Sequence, residues 1–143
     1  MTNFTAKAET VIDSPVAKVW QAIVDPVMVK QYLFGTDMKV SAWEVGGKIS
    51  YSGSWEGKPY EDKGTILEII PEKKLVSTSW SSASGTEDKP ENYMKVTYEL
   101  IPEGDGTKMM ITQENAPTQE SADHSAANWE SVLEAMKKLV ENN

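Results

Sequence analysis

The segment PTQESADHSAANWESVLEAMKKLVE, residues 117–141, is the most informative part of this sequence for predicting its fold. Its apolar residues recur at alternating spacings of four and three, which is typical of an amphipathic helix. This stripe consists of Ala122, Ala126, Trp129, Leu133, Met136 and Val140. Either Thr118 or Ser121 provides the N-cap, and about 22 helical residues would span roughly 33 Å. An apolar stripe of that length must be buried against another element.

The region before this helix, from residue 39 to residue 114, alternates between apolar and polar residues with a period of two. This pattern is typical of half-buried strands. We predict about six strands in this region, five of which are at residues 49–55, 64–70, 75–80, 93–100 and 108–114. Turn sequences separate the runs, at Gly46-Gly47, Glu56-Gly57-Lys58-Pro59 and Glu103-Gly104-Asp105-Gly106. Such short connections indicate an antiparallel meander.

The amino-terminal part predicts one strand, Phe4–Ile12, followed by two short helices. Ser14 is the expected N-cap of the first helix, with Pro15 as its first residue. Asp25-Pro26 then ends this helix and caps the second, Val27–Tyr32. The sequence therefore predicts a single α+β domain, residues 1–143, in which a curved antiparallel sheet of about seven strands wraps around a long carboxy-terminal helix. The predicted order is one strand, two helices, six strands and the long helix.

Composition excludes several classes of function. The net charge is −8, and all 14 basic residues are lysines. Nucleic acid is an unfavourable partner for such a chain, because phosphate and base contacts depend on basic clusters and on arginine. The chain has no cysteine, so it has neither a disulfide nor a thiol nucleophile. With no signal-like or membrane-spanning apolar run, the expected location is the cytoplasm.

Catalytic and metal motifs are weak in this sequence. Asp123-His124-Ser125 contains the residue types of a catalytic triad, but consecutive helical residues point about 100° apart. His124 is the only histidine, and the acidic residues near the turns lack the spacing of a calcium loop. Gly104 and Gly106 belong to a hairpin turn and not to a phosphate loop. We therefore predict no catalytic residues, no metal site and no cofactor.

The aromatic and methionine residues are the most informative part of the composition for predicting a binding site. Such side chains line pockets for flat or apolar ligands. For any single one of them core filling is the favoured interpretation, but we expect several of the set to face a cavity between the curved sheet and the helix. If Met109 and Ile111 face the helix, the period of two places Gln113 there too. Its amide, and the hydroxyls of Tyr51 and Tyr98, would then bind either a ligand or neighbouring protein groups. The predicted pocket residues are Tyr32, Trp43, Tyr51, Trp55, Trp80, Met94, Val96, Tyr98, Ile111, Gln113, Trp129, Leu133 and Met136.

The order of elements, with these residues, resembles the START/Bet v-like helix-grip superfamily (SRPBCC). Within it, the chain is most similar to homologues of the activator of heat-shock protein 90 ATPase. The resemblance rests on segments 12–20, 25–26, 46–47, 64–69, 96–100, 106–108 and 128–133. Tyr32 stands near a position where the family usually has tryptophan. The strand Leu75–Trp80 carries one extra residue before its tryptophan, which leaves the orientation of Thr78 and Trp80 open.

The superfamily that this chain resembles includes lipid and metabolite carriers, polyketide cyclases and a co-chaperone domain. The resemblance is therefore compatible with three functions. We favour binding of a small hydrophobic or aromatic ligand between sheet and helix, with a stress-related role. The alternatives are a co-chaperone-like domain that contacts a chaperone, and an enzyme of the cyclase or dehydratase type. We favour a non-enzymatic role over the enzyme. The expected oligomeric state is a monomer or a weak homodimer.

Overall fold

The computed structural model describes residues 4–33, 35–55, 57–82 and 86–142, with the backbone alone for Trp55. Its elements follow the predicted order. The strands are β1 (Phe4–Ile12), β2 (Asp37–Val40), β3 (Lys48–Trp55), β4 (Lys58–Ile70), β5 (Lys74–Ser81), β6 (Met94–Glu103) and β7 (Gly106–Ala116). The helices are α1 (Val16–Val24), α2 (Pro26–Tyr32) and α3 (Gln119–Glu141), and Pro90–Asn92 forms a short 3-10 helix.

Within these residues the strands form one antiparallel sheet in the order β1-β7-β6-β5-β4-β3-β2. Strands β2 to β7 make a meander, and β1 pairs with β7, so the first and last strands of the chain are neighbours. The sheet is curved, and α3 packs on it against β1 and β7. This confirms the predicted α+β helix-grip fold.

The core lies between the concave face of the sheet and α3. Met109 and Ile111 of β7 face the helix, as the period of two predicts, and their exposed fractions are 0% and 1%. On α3, Leu133 and Met136 are each 1% exposed and pack in the same cluster. Full burial of such side chains contributes about 1.5–3 kcal/mol each. The apolar stripe of α3 is therefore what holds the helix on the sheet.

Both ends of α3 are fixed by polar contacts. At its start, the Thr118 side chain accepts a hydrogen bond from the backbone N–H of Ser121, so Thr118 is the N-cap. At its end, Lys137 Nζ donates to the Val11 carbonyl at 2.6 Å, and Glu141 Oε2 accepts from the Asp13 N–H at 2.8 Å. The Asp13 N–H, followed by Lys137, lowers the pKa of the Glu141 carboxyl. The end of the helix is thereby attached to the end of β1.

The predicted start of the first helix is wrong by one residue. Pro15 itself is the N-cap, with an extended backbone, and its carbonyl accepts from the N–H groups of Lys18 and Val19. Ser14 makes no capping bond; it is buried, and its carbonyl accepts from the Thr107 hydroxyl at 2.8 Å. In the second helix, Asp25 caps as predicted, because its side chain accepts from the N–H of Val27.

Strand β4 begins earlier than the sequence predicts, at Lys58 and not at Gly64. Trp55 pairs with Lys58 and Ser54 pairs with Pro59, so Lys58 and Pro59 belong to the strand and not to the turn. Among the described residues β5 pairs with β4 only from Asp62 onward, so within this part of the chain Pro59 has a partner only on the β3 side, where proline is tolerated. The longer β4 provides the outer wall of the site described below.

Candidate functional site

A cavity of about 310 Å³ lies between the first half of α3 and the concave face of the sheet. The loop between α2 and β2 borders it. It is lined by Leu33, Thr36, Ile49, Tyr51, Tyr60, Asp62, Lys63, Gly64, Ser77, Thr78, Ser79, Ser81, Met94, Val96, Tyr98, Gln113, Ser125, Asn128, Trp129 and Val132. Its size falls within the range of small-molecule sites.

Small side chains on β5 create this space. Ser79 pairs with Met94, and Ser77 pairs with Val96, so these serines share the concave face with two cavity-lining apolar residues. Ser81 follows with the same parity and pairs with Asp62. Successive side chains of a strand point to opposite faces, so the serines leave a hollow where larger residues would fill it.

Gln113 joins the sheet to α3 inside the cavity. Its Oε1 accepts from Trp129 Nε1 at 2.9 Å, and its Nε2 donates to Ser125 Oγ at 3.0 Å and to Met94 Sδ at 3.1 Å. Gln113 is 6% exposed. A buried amide needs such partners, and here the protein supplies them. The network fixes the Trp129 ring, whose edge meets the Tyr98 ring at a centroid distance of 6.0 Å.

A pair of tyrosines forms another part of the wall. The hydroxyls of Tyr51 and Tyr98 are hydrogen-bonded to each other. Burial raises the pKa of Tyr98 to about 12, and burial followed by the proximity of Tyr98 raises the pKa of Tyr51 well above its usual range. Both hydroxyls therefore stay protonated at neutral pH and are neutral hydrogen-bonding groups.

Asp62 brings a carboxylate to the cavity. It lies on β4 between Tyr51 of β3 and Ser81 of β5, and it is half-buried. Burial raises the pKa of the Asp62 carboxyl, and a hydrogen bond from Ser81 lowers it by a smaller amount. The charged form is therefore incompletely stabilised by the protein.

The border of the cavity near α2 is held by Tyr60. The Tyr60 hydroxyl donates to Thr36 Oγ1, and Thr36 donates in turn to the Leu33 carbonyl at 2.6 Å. Gly53 pairs with Tyr60, and a Cβ at this glycine would lie 2.8 Å from the Tyr60 hydroxyl oxygen. Gly53 thus makes room for the ring that closes this side.

The structure brings six of the predicted pocket residues to the cavity: Tyr51, Met94, Val96, Tyr98, Gln113 and Trp129. Tyr32 and Met136 lie deeper, against a void of only about 10 Å³, and Ile111 and Leu133 are fully buried in the core. The side chain of Trp55 lies outside the described residues. Whether the six residues bind a ligand stays a prediction.

Two predicted pocket residues are elsewhere. Trp80 lies on the outer face, because the residues of β5 that share the face of Met94 are serines at odd positions. There it stacks with Tyr93, and its Nε1 donates to Thr86 Oγ1 at 3.1 Å. Trp43 is 37% exposed and lines a shallow surface groove with Trp20 and neighbouring apolar residues.

The residues that sequence reasoning missed are mainly polar: Thr36, Tyr60, Asp62, Ser77, Ser79, Ser81, Ser125 and Asn128. One signal was available. Serines at 77, 79 and 81 alternate with larger residues, and the predicted strand already began at Leu75, an apolar residue of the same parity. Asp62 gave no such signal, because it stood between the turn predicted at residues 56–59 and the strand predicted from Gly64, and it was interpreted as one of the acidic residues near the turns.

Other sites are less enclosed. A wider groove of about 620 Å³ on the outer face is open to solvent and is lined in part by Lys39, Lys48 and Lys63. In the described ranges, no three histidine, aspartate or glutamate residues are arranged to hold a metal ion. Of the helices described, none has the length and apolar character that crossing a bilayer requires.

A sheet curved around one long helix, with a cavity enclosed between them, defines a helix-grip protein. A family model supports the same assignment along most of the chain, matching residues 13–141. The chain belongs to the family described as activator of Hsp90 ATPase homolog 1-like proteins. The family match and the fold neighbours together support an assignment to the SRPBCC superfamily.

Solved structures agree with this assignment. The chain is similar to ChR145 from Cytophaga hutchinsonii, with 41% identity and a TM-score of 0.82 over 97% of this chain and 94% of that one. It resembles CalU16 from Micromonospora echinospora at 21% identity (TM-score 0.69; 98% and 87% covered). It also resembles Ara h 8.0201 at 14% identity (TM-score 0.77; 99% and 100% covered). The last two show the fold alone. The comparison with curated proteins gave no match.

Proposed function

We propose that this protein binds a small, largely apolar or aromatic molecule in the cavity between sheet and α3, without covalent chemistry. The observation that carries the proposal is the cavity itself, about 310 Å³ with an apolar and aromatic wall that includes Trp129, Tyr98 and Val96. Aromatic walls give large contact areas at low cost in side-chain entropy. Met94 adds a flexible side chain that adapts to different ligand shapes.

The hydrogen bonds inside the cavity support reversible binding. Gln113 is bonded to Trp129, Ser125 and Met94, and Tyr51 is bonded to Tyr98. Among the described residues no fully buried side-chain nitrogen or oxygen lacks a partner. The apolar body of a ligand can therefore lie against Gln113 and the two tyrosines without depriving these groups of their hydrogen-bond partners.

The test uses tryptophan fluorescence. Purified full-length protein is titrated with flavonoids, polyketides and lipids, after native mass spectrometry has searched for a molecule that co-purifies. Trp129→Phe and Trp80→Phe are the matched variants, because one ring lines the cavity and the other lies on the outer face. We expect the ligand-dependent signal to survive in Trp80→Phe and to disappear in Trp129→Phe.

Two results would refute the proposal. One is the absence of any ligand by mass spectrometry, titration and calorimetry. The other is a response that follows Trp80 and is unchanged when Trp129 is replaced, since binding would then occur on the outer face.

A co-chaperone-like function is a second candidate, favoured by the description of the matching family. It predicts contact with an ATP-dependent chaperone through the outer face of the sheet or the acidic loops. A pull-down from the protein's own cell extract that recovers no such chaperone would count against it. A stress-related role, a cytoplasmic location and a monomeric or weakly dimeric state stay predictions.

An enzyme of the cyclase or dehydratase type is the third candidate. It would use the amide of Gln113 and the hydroxyl of Tyr51 to polarise a carbonyl. Both groups already have protein partners, so a substrate would have to displace them. Unchanged turnover in Gln113→Leu and Tyr51→Phe would remove this candidate.

A further inference from the structure

Asp62 supplies a carboxylate to the wall of the cavity, whose other lining side chains are neutral except for Lys63. Asp62 lies on the concave face of β4, opposite Tyr51 on one side and Ser81 on the other. Its side chain is hydrogen-bonded to Ser81, and its burial raises the pKa of the carboxyl. A carboxylate that faces a partly enclosed apolar space is costly unless a positive group or several donors accompany it.

No lysine supplies that positive charge within the residues that the structure describes. The ion pairs found there join other residues. Lys63 is adjacent in sequence, but its Nζ lies 2.6 Å from Asp88 Oδ2 and 5.6 Å from the centre of the Trp80 ring, on the outer face. Lys63 therefore borders the cavity, but its charged end lies on the outer face, as the period of two requires.

The surroundings of Asp62 determine which ligand group it favours. The nearby groups on the sheet are the hydroxyls of Ser81, Tyr51 and Tyr98, which are neutral at ordinary pH. Across the cavity, Trp129 and Val132 of α3 present aromatic and aliphatic surface. A second carboxylate in this space would meet electrostatic repulsion, whereas a cation would be attracted by Asp62 and by the faces of the aromatic rings.

We infer that the ligand of this cavity is a small amphipathic cation, with an apolar body against Trp129 and Val132 and a protonated amine bound by Asp62. This inference rests on the proposed function and names the chemical class of the ligand. The inference excludes one class of ligand: fatty acids and other apolar carboxylates should bind poorly to this cavity.

The experiment compares three probes that each have a phenyl ring on a four-carbon chain and differ in the terminal polar group: 4-phenylbutylamine, 4-phenylbutanol and 4-phenylbutyric acid. Each is titrated by calorimetry into the full chain near neutral pH. We expect the amine to bind about tenfold more tightly than the alcohol, since a hydrogen bond to a charged partner exceeds one between neutral groups, and the acid to bind most weakly.

Two variants separate a specific role of Asp62 from a general effect of net charge. Asp62→Asn keeps the shape, and we expect the amine to lose about tenfold in affinity while the alcohol is unchanged. Glu61→Gln is the control, since Glu61 is exposed on the opposite face of the same strand. It removes the same charge and should leave all three affinities unchanged.

The outcomes distinguish the two proposals. Binding of the alcohol without a preference for the amine over the acid in the wild-type protein overturns the cation inference and leaves the cavity as a ligand site. A preference that persists in Asp62→Asn also overturns it. Failure of all three probes to bind overturns the inference about the ligand class, and the proposed function is then decided by the broader ligand search described above.

Discussion

The two halves of α3 face the same sheet, but only one half is fully packed. Near its carboxyl end, Leu133 and Met136 lie in a filled core with Leu75 of β5, and each is at most 1% exposed. Near its amino end, Ser125 and Trp129 border the cavity. We refer to these two regions as the closed end and the open end.

The difference between the two ends comes from side-chain size and not from a change of backbone. Leu75 and Ser79 stand four residues apart on β5 and point to the same side of the sheet. At the closed end leucine fills the space, and at the open end serine leaves it empty. A helix-grip fold can therefore be adapted to a new ligand by changing a few strand residues, because the sheet and helix are held elsewhere.

The largest effect is expected at the closed end. Leu75→Ala should lower the free energy of unfolding by about 2–5 kcal/mol, since it leaves a cavity in a packed core. Val132→Ala, at the open end, is the matched change and should cost about 1 kcal/mol. Urea denaturation measures both. Equal losses would show that the two ends are packed alike, contrary to the structure.

The next effect concerns the connection between sheet and helix at the open end. Trp129→Phe removes the donor to Gln113 Oε1, and we expect a loss of about 1–3 kcal/mol in the free energy of unfolding because a buried acceptor loses its partner. Trp80→Phe, which removes a bond on the outer face, should cost less than about 0.5 kcal/mol. Denaturant unfolding of the two variants side by side provides the measurement, and a larger loss in Trp80→Phe would contradict it.

A smaller effect, of opposite sign, is expected when the open end is filled. Ser79→Leu should raise the free energy of unfolding by about 0.5–2 kcal/mol, as cavity-filling changes do. It should also weaken ligand binding at least about tenfold, which corresponds to about 1.4 kcal/mol. Ser50→Leu places the same side chain on the outer face and should leave ligand affinity unchanged. Calorimetry measures the ligand affinity of both variants. Undiminished binding in Ser79→Leu would show that the ligand binds outside this cavity.

The smallest expected effect is a pH dependence at Asp62. Because burial raises the carboxyl pKa in the folded state, the native protein binds the proton more strongly than the unfolded chain does. The ionised group thus destabilises the fold above the raised pKa, and this cost vanishes below the unfolded value of about 3.9. Asp62→Asn should therefore be more stable than the wild type at neutral pH, with an advantage that declines on acidification.

Urea denaturation of both proteins from acidic to neutral pH measures this difference. A variant that is less stable than the wild type at neutral pH, or a difference independent of pH, would show that the protein already compensates the charge. Glu61→Gln is again the control, and it should follow the wild-type curve.

The sequence predicted the fold well because two periodicities determine it. The spacing of Leu133, Met136 and Val140 identified α3, and the alternation around Met109 and Ile111 identified the strand that faces it. The inward position of Gln113 followed directly from that alternation. These are local patterns, and the core cluster is their direct consequence.

The site was predicted less completely, because its lining depends on the register of the strands and on positions where small side chains leave space. Trp80 was assigned to the pocket by residue type, whereas its parity relative to Leu75 places it outside. Trp43 was chosen in the same way and lies in a surface groove. Asp62 reached the cavity only because β4 starts six residues earlier than predicted at Gly64. A hollow formed by serines has no positive signal in composition, since small polar residues are equally common at turns.

The position of the Gln113 amide has one further consequence, which concerns competition. A ligand that accepts a hydrogen bond from this amide must first displace Ser125 of α3 or Met94 of β6, because these two groups already accept from its Nε2. Where Ser125 is displaced, part of the binding energy is consumed in separating α3 from β7, so the observed affinity falls. A ligand whose polar group reaches the opposite wall leaves that connection intact. The hydrogen bonds of Gln113 thus discriminate between ligands of equal size according to the position of the polar group on each ligand.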